Sequence, residues 1–231
     1  MKHTYMAIGA HIGDCELQNG LTLSTLALKG HKIITVALTK GERGNPKGVS
    51  VEDYSVQKEK EANEFANMLN GEAIVLNYRD GEIPDNDKIR LEVAELIRKY
   101  KPKTIFTHWK NSMHKDHSLT SKIVTDAQLL AGIDMEGKIK GERHFAPIYF
   151  SENWEDEEDF KPYIYFKGTK EGYELWTKAM KKHWFIMNSQ SFKYYDYYTH
   201  LSYVRGALAR TTYAEAYSVF EYQKKVVKDE F

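Results

Sequence analysis

Residues 4–39 read TYMAIGAHIGDCELQNGLTLSTLALKGHKIITVALT. Two apolar runs, Thr4–Ala10 and Lys32–Thr39, have the character of buried strands, and the second is rich in β-branched residues. Between them, Glu16–Leu28 carries Leu17, Leu21, Leu23, Leu26 and Leu28 at roughly helical spacing and stops at Gly30. Strand, helix and strand in this order is the unit of a parallel sheet covered by helices on both faces.

The alternation continues along the chain. GERGNPKG at 41–48 is a loop by its Gly and Pro content. Val51–Leu69 reads as an amphipathic helix with Val56, Ala62, Phe65, Ala66 and Leu69 on its apolar stripe, and Gly71 lies just past its end. Glu72–Asn77, Thr104–Thr107 and Ala146–Phe150 read as further strands, with helices over Asp87–Tyr100 and about Ser118–Leu130 between them. The expected fold class is therefore α/β, with a Rossmann-like, mostly parallel sheet flanked by helices. The last third is less regular. NWEDEEDFKPYIYF (153–166) is an acidic, aromatic connection with room for a strand, and Lys170–Met187 and Tyr195–Leu208 read as helices. With no internal repeat and no linker, residues 1–231 are expected to form one domain with a helical C-terminal extension.

Composition narrows the function. Lys+Arg and Asp+Glu both number 33, so the formal net charge is zero, and no basic stripe argues for nucleic acid. No apolar run approaches the ~20 residues that span a bilayer, and no signal peptide is visible. Cys15 is the single cysteine, which fits a reducing compartment, and the expected location is cytoplasmic.

In open parallel sheets, ligands bind beyond the carboxyl ends of the strands. His11, Asp14 and Glu16 follow the first strand, and Glu42 and Arg43 follow the second. Asp80 follows the third, and His108, His114, Asp116 and His117 follow the fourth. Four loops distant in sequence thus bring polar residues to one rim. His11-x-x-Asp14 with a His from the HKDH run supplies three N/O ligands, the pattern of a catalytic zinc site with an open position. Each motif alone has a plainer reading: a surface His, a chance HxxD, or a helix N-terminus capped by Asp116. Cys15 is assigned to packing, because a helix starting beside Asp14 turns its side chain away.

These residues resemble the PIG-L/LmbE-like N-deacetylase family. The family's AHPDD motif, with its acidic residue and helix start, stands here as AHIGDCELQNGLTL, and its T-x-G-E-x-G as TKGERG (39–44). R-x-x-E-A appears as KEKEA with Lys58 in place of Arg, DG as Asp80-Gly81, and H-x-D-H as His114–His117. SQ matches Ser189-Gln190, and the late AR and YAEAF-like run matches LARTTYAEAY (208–217). The resemblance implies a zinc-dependent hydrolase, or one using another divalent metal, that deacetylates N-acetylglucosamine-type sugars or conjugates. It implies His11, Asp14 and His117 as metal ligands, His114 as the group that polarises or protonates the reacting centre, Asp116 as a carboxylate that holds an imidazole in orientation, and Glu42 and Lys58 as substrate-facing. It also implies a homo-oligomer, a trimer or hexamer, for which the Tyr-rich last third offers an interface.

One departure stands out. The residue matching the family's general-base Asp is Gly13, and the Pro before it is Ile12. A general base is worth about 10²–10⁴ in rate. Three readings follow: His114 serves as base and acid, Glu42 or Asp80 replaces the missing carboxylate, or the protein binds metal and sugar without hydrolysis. On the sequence, Gly13 is expected to leave a gap that Gly13→Asp would fill. A nucleotide-binding reading of the sheet is weak, because neither G-x-G-x-x-G nor a Walker lysine loop is present.

Overall fold

In a computed structural model, which describes residues 1–155 and 158–225, strands β1 (Thr4–His11), β2 (Lys32–Thr39), β3 (Glu72–Tyr78), β4 (Thr104–His108) and β5 (Ile148–Ser151) pair in parallel. β6 (Ile164–Lys167) and β7 (Ala214–Ser218) extend the sheet antiparallel, giving the order β3-β2-β1-β4-β5-β7-β6. Asp156, Glu157 and residues 226–231, which belong to the expected single domain, lie outside the described residues.

The strands alternate between two cores. Met6, Ile8 and Ala10 of β1 pack against the face carrying α4 (Asp87–Tyr100) and α5 (Lys115–Gly132). Ala7 faces the other core, with α2 (Gly20–Leu28), the end of α3 (Val51–Met68) and α6 (Lys170–Met180). This two-sided burial explains why β1 and β2 read as continuous apolar runs.

Some expectations are corrected. The helix read over Glu16–Leu28 is two: α1 (Asp14–Gln18) and α2, broken at Asn19. The Glu16 carbonyl accepts the Trp176 indole N–H at 2.7 Å, and the Glu215 carboxylate accepts the Leu21 and Thr22 amides at 3.0 and 2.9 Å. Partners from the last third thus take the groups that a continuous helix would have paired internally. Likewise Lys170–Met187 divides into α6 and α7 (Trp184–Asn188), followed by α8 (Tyr194–Leu208). The C-terminal part is only partly helical, because β6 and β7 lie within it. Val56 is exposed, and the buried face of α3 runs instead through Tyr54, Lys58, Glu61, Ala62, Phe65 and Ala66. Cys15 is buried in the second core, as its packing role requires.

Arg98 of α4 is buried and ties that helix to the segment after α5. Its guanidinium donates to the carbonyls of Ala131 (3.0 Å), Ile139 (2.8 Å) and Ile133 (2.6 Å). Arg98→Met is expected to leave these acceptors unpaired and lower stability by about 2–3 kcal/mol, as measured by urea unfolding.

Candidate metal centre

The strand order reverses direction between β1 and β4, since β2 and β3 lie on one side and β5 on the other. That switch point opens a crevice at the carboxyl ends of the two strands. His11 closes β1 and His108 closes β4, and α5, which begins at Lys115, brings His117 over the same crevice.

Three atoms converge there. His11 Nδ1 lies 3.3 Å from Asp14 Oδ2, His117 Nε2 lies 3.3 Å from His11 Nδ1, and His117 Nε2 lies 3.6 Å from Asp14 Oδ2. Tetrahedral ligands at ~2.0–2.2 Å from a zinc ion stand about 3.3–3.6 Å from one another. The donor set therefore fits a zinc-sized divalent cation. His11, His114 and His117 form a further cluster of potential ligands, as do Asp14, His108 and His117.

The surroundings are acidic. His11 Nε2 faces Asp80 Oδ1 at 3.2 Å and Asp116 Oδ2 at 3.4 Å, and no hydrogen bond of good geometry satisfies it. Asp116 therefore sits behind His11, where it also accepts the Gly81 amide at 2.7 Å. Burial works against a charged His11, but Asp14, Asp116 and Asp80 outweigh it and hold its pKa well above the ordinary imidazole value. Burial likewise opposes ionisation of Asp14, and His117, His11 and His108 reverse this, leaving it well below the carboxylate range. A buried cluster of carboxylates that stays ionised and favours a positive charge beside it suits a cation.

His114 lies at the rim. Its Nδ1 accepts the Asp116 amide at 3.3 Å, as the N-cap of α5, and its ring stacks on His117 at 4.5 Å. Burial, with His117 and His11 nearby, lowers its pKa. His108, which the sequence left open, is fully inside: its ring stacks on His117 at 4.0 Å and its Nε2 is 3.1 Å from Asp14 Oδ2.

The loop at Gly13 departs from expectation. Gly13 has φ 112°, a conformation that side chains rarely adopt, and its amide donates to Glu16 Oε2 at 2.9 Å. A Cβ built there would stand 2.3 Å from Cζ and 2.5 Å from Cε1 of Phe185. The expected gap is filled by an aromatic ring from α7. Phe185 lies 172 positions along the chain, and no local signal in the sequence points to it.

Lys58 lines the cleft but is only 4% exposed. Its ammonium donates to the Ile12 carbonyl at 2.6 Å and lies 4.0 Å from the centre of the Phe185 ring. Glu42 does not reach the cleft. It is buried, with Oε1 accepting the Asp80 amide at 3.1 Å, so the structure gives it a loop-holding place instead of a substrate-facing one. The cleft itself has a volume of about 490 Å³. Its walls carry Tyr54, Trp154, Trp184, Phe185, Tyr194 and Tyr198, with Glu155 and Asn153 on the side of His117.

Residues 6–128, more than half of the chain, match the family model described as GlcNAc-PI de-N-acetylase. The diacetylchitobiose deacetylase of Thermococcus kodakarensis is 27% identical over 133 residues, which are 55% of this chain and 50% of that protein. The match thus spans half the length of this curated relative. Among solved structures, the 4-carboxy-2-hydroxymuconate hydratase of Pseudomonas putida overlays 100% of both chains with a TM-score of 0.84 at 20% identity. The N,N'-diacetylchitobiose deacetylase of Pyrococcus horikoshii overlays 98% of this chain and 87% of its own, with a TM-score of 0.81 at 20% identity. The overlays share the α/β fold, and the family model takes in both motifs of the centre: the chain belongs to the GlcNAc-PI de-N-acetylase (PIG-L) family.

Proposed function

We propose that the protein is a metal-dependent N-deacylase, with small N-acetylated amino sugars or their conjugates as substrates. The observation that carries this reading is the near-tetrahedral spacing of His11 Nδ1, Asp14 Oδ2 and His117 Nε2 at the floor of an aromatic cleft. These three residues are the proposed ligands, and zinc is the proposed ion. A divalent metal there supplies Lewis acidity toward the amide carbonyl and lowers the pKa of a coordinated water toward ~7.

The chain's own residues do the rest. Asp80 and Asp116 face His11 Nε2 and fix the ring so that Nδ1 points inward. His114 has Nδ1 engaged by the backbone, which leaves Nε2 to hold or deliver a proton at the reacting amide. With a glycine at 13, His114 is the proton-handling group of the cleft in this reading. The aromatic walls suit the apolar faces of sugar rings, and the volume suits a small ligand.

The test is acetate release from N-acetylglucosamine and its short oligomers, before and after chelation and after zinc is restored. Loss on chelation and recovery with zinc are expected, and no turnover in any state removes the reading. His114→Ala is expected to keep its metal and lose about 10²–10⁴ in turnover, as measured by elemental analysis beside kinetics. Unchanged turnover ends its assignment.

Gly13 favours a second reading, a centre that binds metal and ligand without cleaving an amide. The hydratase that overlays the whole chain adds a third chemistry to screen, addition of water to a double bond. Among the described residues no helix is long and apolar enough to cross a membrane. A cytoplasmic homo-oligomer, a trimer or hexamer, completes the proposal. Exposed Tyr203, Val204 and Leu208 on α8 support it, and sedimentation at 26.9 kDa would exclude the oligomer.

A further inference from the structure

The acidic connection after β5 has no part in the mechanism above, yet it reaches the centre. Glu155 Oε2 lies 3.2 Å from His117 Nδ1, the nitrogen that faces away from His11 and Asp14. Asn153 Nδ2 lies 3.4 Å from the same nitrogen and 3.5 Å from Glu155 Oε2. The Tyr198 hydroxyl of α8 donates to Asn153 Oδ1 at 2.5 Å, which turns the amide NH₂ toward Glu155 and His117. All three residues line the cleft, and all lie outside the stretch matched by the family model.

We propose that Glu155, steadied by Asn153 and Tyr198, is the positioning residue that sets the tautomer of His117 and hence the affinity of the centre for its metal. The inference rests on the reading of His117 as a ligand. His117 Nδ1 meets two partners of opposite kind. If Nδ1 carries the proton, it donates to the Glu155 carboxylate, and the Nε2 lone pair is free toward His11 and Asp14. If Nδ1 is bare, it accepts from the Asn153 amide, and the proton sits on Nε2, blocking the position a cation needs. The carboxylate is the closer and the charged partner, so it selects the first state. Asn153 then donates to the carboxylate, and Tyr198 holds Asn153 in the orientation that allows this. A metal-bound imidazole ordinarily has such a carboxylate or carbonyl behind it, and its loss costs about 10–100-fold in affinity. His11 has Asp80 and Asp116 in that place, and His117 has Glu155.

The experiment is a zinc titration of the intact protein against a chromophoric chelator, beside the visible spectrum of the cobalt(II)-loaded protein. Glu155→Ala is expected to bind zinc about 10–100-fold more weakly and to shift the cobalt bands. Glu155→Gln, whose amide oxygen can accept the same N–H, is expected to recover most of the loss. Tyr198→Phe is expected to weaken binding by a smaller factor, and it serves as the second probe if Glu155→Ala does not fold. Thermal melting of the metal-free proteins checks the fold. Wild-type affinity and an unshifted cobalt spectrum in Glu155→Ala would overturn the proposal. If Glu155→Ala fails to fold, wild-type affinity in Tyr198→Phe would do the same. A wild type that binds no zinc overturns the metal reading itself, which keeps the two failures apart.

Discussion

Gly13→Asp is expected to destabilise the protein by about 3–6 kcal/mol, and hydrolysis is expected to fall instead of rise. Three costs combine. The residue holds φ 112°, well beyond the left-handed well that Asp tolerates, which costs about 1–2 kcal/mol. The new Cβ would sit 2.3 Å from the Phe185 ring, and overpacking of this kind costs about 1–3 kcal/mol. The ring cannot swing aside freely, because Lys58 lies 4.0 Å from its centre and Tyr194 meets it edge-on at 5.4 Å. The carboxylate would also enter a partly apolar pocket, which adds a desolvation term. Urea unfolding of the single variant, and of Gly13→Asp combined with Phe185→Ala, measures this. The double variant is expected to be the more stable of the two, since the ring that clashes is gone. A single variant as stable as wild type, or faster in acetate release, would show that the ring does not fill the seat. Gly13 and Phe185 thus form one packing unit.

His117→Ala is expected to strip the protein of its metal and, with it, of turnover. The side chain contributes one of only three proposed ligand atoms, and its Nε2 stands 3.3 Å from His11 Nδ1 and 3.6 Å from Asp14 Oδ2. Loss of a supporting residue costs roughly 10–100-fold in affinity, and loss of a ligand costs more. Elemental analysis after dialysis reads the effect directly. The variant removes two ring stacks as well, with His108 at 4.0 Å and His114 at 4.5 Å, so thermal melting is measured in parallel. A well-folded His117→Ala protein that retains a full equivalent of metal would take this residue out of the ligand set.

The first strands were legible because each is a short apolar run closed by a turn signal. β2 and α4 fall on the residues read from the sequence. β7 was not legible: AEAYS at 214–218 has a glutamate at its second position and no Val, Ile or Thr. All five residues are nonetheless buried, and the glutamate is there to receive the amides of α2. The break at Asn19 escaped for the same reason, since Trp176 is 160 positions from the carbonyl it occupies. In the centre, His11, Asp14, His114 and His117 could be found because two compact motifs follow the carboxyl ends of two neighbouring strands. Phe185, Glu155 and Asn153 could not, because they reach the cleft from segments that carry no spacing of their own. What fills the space beside Gly13 comes from afar and not from the motif itself.

The tie between Glu215 and α2 also bears on how the chain is made. The two partners are 194 residues apart. At about 5–20 residues per second on the ribosome, they emerge roughly 10–40 s apart. Through that interval the start of α2 lacks the Glu215 carboxylate, and β5, once made, lacks its neighbour until β7 follows. β6 leaves the ribosome before β7, yet its native place is beyond it. β6 therefore has no native strand partner until β7 has been made.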